Sequence, residues 1–303
     1  MLHLRMIAPT ELREPVLNIL ECEPGATHIV VHTGAAVEPA GDEITADVAR
    51  EAANDVVNRL KSLDLHHSGA ITIEPLDTVL SSRAYDAEDK AEGEAADAVI
   101  WDELVSRTRE ESTLTVTYLT FLCIACMLAA VGVVTDSPVT IVGAMVVGPE
   151  FGPLAALAVA LVRRRTHLAR RAAFALLIGF PAAMAVTALF TLGIEAAGWV
   201  QLASTTELTE VDFIFQVGPF SFVVALLAGA AGMLSLVSAK SAALIGVFIS
   251  VTTVPAAGFA VVAATIGDWG IAAQSAAQLA VNLIGITVAG VLVLWIYQRA
   301  PQR

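Results

Sequence analysis

The sequence predicts two fold classes in one chain: an α+β N-terminal domain of ferredoxin-like βαββαβ plan, then an all-α polytopic domain of six transmembrane helices. Three observations carry this reading. The chain is 56% hydrophobic and only 16% charged, with a mean hydropathy of +0.71, whereas a soluble domain of this size carries about 25% charged residues. Charge is unevenly spread: residues 1–112 hold 23 acids against nine bases, and residues 113–303 hold seven against eight. The first 77 residues alternate strand-like and helix-like periods, and later apolar runs reach membrane-spanning length.

In the first region, Leu2–Ile7 alternates as a strand. Pro9–Cys22 reads as a helix with Thr10 as its N-cap, Leu12, Val16, Ile19 and Leu20 on one face, and Cys22 buried. Ala26–Thr33 is β-rich, Gly34–Gly41 a loop, and Asp42–Val48 alternates again. Ala49–Leu63 has helical spacing at Ala52, Val56, Leu60 and Leu63, and Gly69–Glu74 closes as a strand before Pro75. The order β-α-β-β-α-β is the split βαβ plan, which small regulatory ligand-binding domains share, but a plan alone assigns no function. His28 and His32, four apart, share a strand face without an acid or Cys nearby in sequence. They read as solvated or edge histidines rather than a metal site. His66 and His67 carry no stronger signal.

Residues 78–112 read as a linker, helical in part, followed by an amphipathic helix. The linker holds Ser81, Ser82, Arg83 and an Asp/Glu/Ala run with Gly93. From Val99 to Glu111, Ile100, Trp101, Leu104 and Val105 face one way, which suits a helix at a membrane interface or one packed on a neighbouring subunit. Met1–Ile7, followed by Pro9, Glu11 and Glu14, lacks the order of a cleaved signal peptide.

Residues 113–303 contain six runs near the ~20 apolar residues that a span requires: Leu114–Val134, Val139–Val162, Ala172–Ile194, Pro219–Ser238, Ala242–Ile266 and Ala276–Tyr297. If residues 1–112 are cytoplasmic, the inner loops 163–171 and 239–241 and the C-terminal tail carry eight Lys and Arg, and the outer loops 135–138, 195–218 and 267–275 carry none. This bias predicts cytoplasmic N- and C-termini in an inner (cytoplasmic) bacterial membrane. Cys123 and Cys126 form a CxxC within an apolar run, where the thiols lack the polar setting that redox or metal chemistry requires.

Two spans contain a P-x-x-G. In the second, Gly148, Pro149, Glu150 and Gly152 stand together; in the fifth, Pro255 and Gly258. Each follows a short polar link, Asp136-Ser137-Pro138 or Ala239-Lys240-Ser241, and precedes a span with a central Gly. Spans one to three therefore resemble spans four to six. Three-span copies must have opposite membrane orientation, the 3+3 inverted repeat of many secondary transporters, with broken helices two and five marking the substrate site. The alternative is that Pro and Gly only kink helices and permit close packing. Glu150 is the one acid inside a predicted span. A charged carboxylate there is costly, so it should be paired, protonated or wetted. Asn282, Thr140, Ser250, Thr252 and Thr253 could line the same path, with Asn282 favoured because Ser and Thr in helices often bond their own backbone.

The block Asp136-Ser-Pro-Val-Thr-Ile-Val-Gly-Ala-Met145, followed by Gly148-Pro149 and Gly152-Pro153, resembles the bacterial and archaeal uncharacterized hydrophobic-domain membrane proteins, also called domain of unknown function 389. Ala228–Met233 and Ser241–Gly258 resemble that family's second block. The family usually has Ser-Pro and then an apolar residue where Gly148-Pro149-Glu150 stands, and two adjacent prolines where Pro255 stands alone. The resemblance implies a membrane fold and no substrate.

Together these features predict an integral membrane transporter or channel for a small solute or ion, with the cytoplasmic domain as regulator. The alternative is a membrane-anchored small-molecule sensor without transport. The pathway residues expected are Glu150, Pro149, Gly148, Gly152, Asp136, Ser137, Asn282, Pro255, Gly258 and Thr252. No enzyme activity, cofactor or metal is expected, since no P-loop, metal cluster or Ser/His/Asp set stands out. The acidic N-terminal region argues against nucleic acid. The expected partners are the lipid bilayer, an unidentified ligand, and further copies of the chain in a homo-oligomer.

Overall fold

The computed structural model describes residues 1–93, 98–198, 218–238 and 252–299. These divide into two compact units, Met1–Glu103 and Leu104–Arg299.

The first unit runs β1 (Leu2–Ala8), α1 (Arg13–Glu21), β2 (Ala26–Val37), β3 (Ala40–Val48), α2 (Arg50–Ser62), the single turn α3 (Leu65–Ser68), β4 (Ala70–Pro75) and α4 (Ser82–Lys90). The four strands form one sheet of order β2-β3-β1-β4, antiparallel throughout. Period-two alternation builds the core: Leu2, Leu4, Met6 and Ala8 of β1 and Ile44, Ala46 and Val48 of β3 point to one buried face. Val16, Ile19 and Leu20 of α1 and Val56, Val57 and Leu60 of α2 join that core. Each large side chain so buried contributes roughly 1.5–3 kcal/mol.

Several local expectations are corrected. Gly34–Gly41 is not a loop: β2 and β3 pair as far as Val37 opposite Ala40, so only Glu38 and Pro39 make the turn. Gly34, at φ +65, instead lies in an irregularity between His32 and Ala36. Thr10 does not cap α1. A 3₁₀ turn over Thr10–Leu12 precedes the helix, and no side chain caps it. Cys22 is exposed, because it follows the last turn of α1. The helical part expected of the linker, by contrast, is present as Ser82–Lys90, which buries Ala84 and Ala87.

The boundary between units falls inside α5 (Trp101–Glu111). Before it, Ile100 belongs to the sheet's core, and Lys61 pairs with Asp102 at 2.5 Å.

The second unit contains α6 (Val116–Val134), α7 (Pro138–Val147), α8 (Phe151–Val162), α9 (Thr166–Ala196), α10 (Pro219–Val237), α11 (Thr253–Thr265) and α12 (Trp269–Arg299). Four of these are long and apolar enough to cross a membrane, and the apolar pair α7 and α8, bent by 51° at its break, is long enough only if taken together. The expected span from Ala242 lies partly outside the described residues. Its described part, α11, has 13 residues and is about 20 Å long, too short to cross alone. The predicted loops also shrink. Residues 163–171 contribute a turn of only three residues before α9, and most of 267–275 belongs to α12. Both helices reach 31 residues because their polar ends continue the helix past the apolar run.

In this unit small residues are prominent in the interior beside larger ones such as Leu122, Ile141 and Phe259. Small residues meet in the interior, with Ala125, Ala129 and Ala130 of α6, Ala155, Ala156 and Ala158 of α8, and Ala256, Ala257 and Ala263 of α11 all buried. Large residues face outward, as with Phe174 at 57% exposure and Leu189 at 72%. That is the arrangement of helices in lipid, where close backbone approach holds the interior together. Residues Thr253 to Ala263 of α11 are buried without exception, between α6, α7, α9 and α12.

Candidate functional site

The break between α7 and α8 follows from local chemistry. Pro149 disfavours helical geometry in the residue before it, and Gly148 adopts ψ 127, ending α7. Glu150 then starts α8, whose Pro153 falls in the first turn, where no amide partner is lost. Gly148 is needed for space: a Cβ there would press on the Glu150 carboxylate and stand 2.8 Å from Val254 Cγ2.

Glu150 is 4% exposed. Its Oε1 accepts a hydrogen bond from the Thr253 hydroxyl at 2.5 Å, while buried Oε2 has no hydrogen-bond partner among the described residues. The carboxylate therefore sits at the first residues of two helices, α8 and α11, where helix dipoles favour negative charge. Thr252, just before α11, accepts from Asn282 Nδ2 at 2.9 Å, and Asn282 Oδ1 accepts from Gln278 Nε2 at 3.1 Å. Ser275, Gln278 and Asn282 are all buried on one face of α12. Gln278 Oε1 and Ser275 Oγ lack partners among the described residues, as does the buried Tyr118 hydroxyl of α6. On the other side of Gly148, a cavity of about 460 Å³ is lined by Tyr118, Gly148, Pro149 and Gly152, with Glu110 and Thr113 among its polar lining.

The ten expected pathway residues thus fall into four groups. Glu150, Gly148, Pro149, Thr252 and Asn282 come together around the buried carboxylate. Gly152 lies in the first turn of α8 against Glu111, whose Cβ would stand 2.7 Å from an added methyl. Pro255 and Gly258 lie inside α11, which begins at Thr253 with Thr252 outside the helix, so Pro255 is its third residue, where proline is tolerated. Residues 239–251 before it lie outside those described. Gly258 instead permits close packing, since a Cβ there would be 2.7 Å from Ala129 Cβ and 3.0 Å from Ala130 N. Asp136 and Ser137 are at the other end of α7, about 15 Å of helix away. Asp136 turns the chain at φ +44, and Ser137 Oγ caps α7 by accepting from the Thr140 backbone N–H at 3.4 Å, and accepts also from the Thr140 hydroxyl at 3.0 Å.

Sequence reasoning missed Tyr118, Gln278 and Ser275. The spacing of 275, 278 and 282 in an otherwise apolar run was the available signal. The suspicion that helical Thr residues satisfy their own backbone holds for Thr187 and Thr191, which bond Ala183 O and Thr187 O. It fails for Thr252 and Thr253, which start a helix and so face across to other elements.

In the N-terminal unit, His28 is not a free edge residue. It sits at φ +51 beside a register shift, its Nδ1 2.7 Å from Asp47 Oδ2 and its Nε2 2.8 Å from Ser81 Oγ. Asp47 Oδ1 also meets His3 Nδ1 at 2.7 Å. The chain Ser81–His28–Asp47 has the order of a nucleophilic triad. It was hidden because its members are far apart in sequence. Here it joins the start of α4 to β2 and β3, and Asp47 is divided between two imidazoles. Asp64, His66 and His67 could converge on a metal ion, but all three are exposed.

Residues 145–288 match the family described as Domain of unknown function (DUF389). The match covers Gly148–Gly152, α11 and the Ser275–Asn282 face. Neither a curated protein nor a solved structure matches the chain.

Proposed function

We propose, for a chain whose residues 145–288 carry the DUF389 family's domain, that the helical unit conducts a proton or other small cation past Glu150. The supporting observation is the run of buried and half-buried polar groups near the cavity at Gly148, from Glu150 and Thr253 to Thr252, Asn282, Gln278 and Ser275. A carboxylate, hydroxyls and amide oxygens suit a cation, and polar groups within a membrane-spanning unit mark ion pathways. In this reading the chain crosses a bacterial inner membrane six times as an inverted repeat, both termini cytoplasmic. It assembles as a homo-oligomer, and its ferredoxin-like N-terminal domain regulates passage. The test is flux of protons and monovalent cations into liposomes containing the purified full-length protein. Glu150→Gln keeps the shape and removes the charge. We expect it to lower flux at least about 100-fold, as loss of an essential acid–base group does. Unchanged flux with unchanged pH dependence removes Glu150 from the mechanism.

A membrane-anchored sensor is the second reading. A cavity of about 340 Å³ in the N-terminal unit, lined by Lys61, His66 and Asp102 among others, favours it. Neither reading requires catalysis, and we treat Ser81–His28–Asp47 as a fastening. A fluorophosphonate probe should leave Ser81 unlabelled; labelling that disappears in Ser81→Ala would make it a nucleophile.

A further inference from the structure

A second cavity, of about 640 Å³, lies in the helical unit between the C-terminal ends of α8 and α12. One wall is apolar, with Leu161 and Val291. The rest carries Arg163, Arg164, Arg299 and Trp295, and no lining residue is acidic.

Local geometry holds these exposed arginines at the cavity. Helix α8 ends in a Schellman arrangement: the Arg165 amide donates to Ala160 O at 2.8 Å, and Arg164 takes the left-handed position at φ +53. That position is normally glycine or asparagine, because a Cβ is disfavoured there. Here the backbone adopts it with an arginine whose side chain lines the cavity. From α12, the Arg299 guanidinium stacks over the Trp295 ring, 4.0 Å from its centroid, which fixes a long side chain at the cavity's edge. Tryptophan and arginine at the end of an apolar helix are the usual residues of a membrane's headgroup level.

We propose that this cavity binds the headgroup of an anionic phospholipid. The guanidinium groups suit the bidentate geometry of a phosphodiester, and the wall of Leu161 and Val291 takes the start of an acyl chain. A free phosphate would leave that wall unused, and a zwitterionic lipid would bring a choline cation among arginines. Basic pockets between helices at a membrane face are a known form of lipid recognition. The inference depends on the second unit spanning a membrane, but not on what the unit conducts.

The experiment is native mass spectrometry of the delipidated full-length protein in detergent, titrated separately with phosphatidylglycerol, phosphatidylcholine and inorganic phosphate. We expect phosphatidylglycerol to be retained preferentially, and inorganic phosphate to displace it poorly. Replacing Arg163, Arg164 and Arg299 by Gln together should weaken retention roughly 100-fold, as three near-surface charges imply. Arg170→Gln, an equal loss of charge per residue outside the cavity, should change it little. Should the triple variant fold poorly, Trp295→Ala, which keeps every charge, is expected to weaken retention several-fold. Equal binding of both lipids by the wild type overturns the proposal without any variant, as does displacement by phosphate at equal concentration. A protein that stays soluble without detergent would instead overturn the membrane reading beneath it.

Discussion

The two units are built by opposite rules. In the first, Leu4, Met6, Ile44 and Leu60 point inward, and His3, Arg5, Glu43 and Asp47 occupy the other face of the sheet. In the second, many alanines and glycines share the interior with Leu122, Ile141 and Phe259, and Phe174, Leu177, Leu189 and Leu227 point out. The difference lies in the solvent each unit is made for. Water drives large apolar groups inward, while lipid leaves them indifferent and hands cohesion to backbone approach and interior polar contacts. It also explains where polar chemistry is concentrated: on the sheet's outer face in one unit, and in the centre in the other.

Two substitutions can break this comparison. The largest effect is expected from Leu4→Ala, which empties a fully buried site at the centre of β1. It should cost about 2–5 kcal/mol in denaturant melts of the full-length protein in detergent. A loss below about 1 kcal/mol would mean that the sheet's core is not its main source of stability. The next is Gly258→Val in α11, where the new side chain meets Ala129 and the backbone of Ala130. Overpacking of this kind costs about 1–3 kcal/mol. Because α11 and α6 would part beside the polar run, cation flux should fall with it. A variant as stable and active as the wild type would show that small residues are not what holds the second unit together.

Much of this organisation was legible in the sequence, and what was hidden shares a physical cause. The β-α-β-β-α-β order and the long helices could be read because each depends on a short window of alternation or hydrophobicity. The break at Gly148-Pro149 was legible for the same reason, since proline acts on its immediate neighbours. The contact of Glu150 with Thr253 joins residues 103 apart, and no local pattern encodes it. The same is true of Asp47 reaching His28 and of His28 reaching Ser81. Pro255, whose motif resembles that of Pro149, likewise stands near the start of a described helix, as the third residue of α11. Composition revealed that the second unit is unusually apolar; only the structure showed which residues face each other.

The smallest effect should come from Phe174→Ala in α9, and it sharpens the comparison most directly. Phe174, Leu177 and Ile178 are exposed at helical spacing on one face of α9. If lipid or detergent covers that face, the truncation exchanges one apolar contact for another, and stability should stay within about 0.5 kcal/mol, as for ordinary surface positions. The same change at a buried site in the first unit would cost about 3–5 kcal/mol. The contrast between two truncations of similar size, Leu4→Ala and Phe174→Ala, is therefore the quantitative form of the two building rules. A loss of about 2 kcal/mol or more at Phe174 would mean that protein, not lipid, covers this face. With a homo-oligomer already proposed, a second copy of the chain would be that protein, and the loss should then depend on protein concentration.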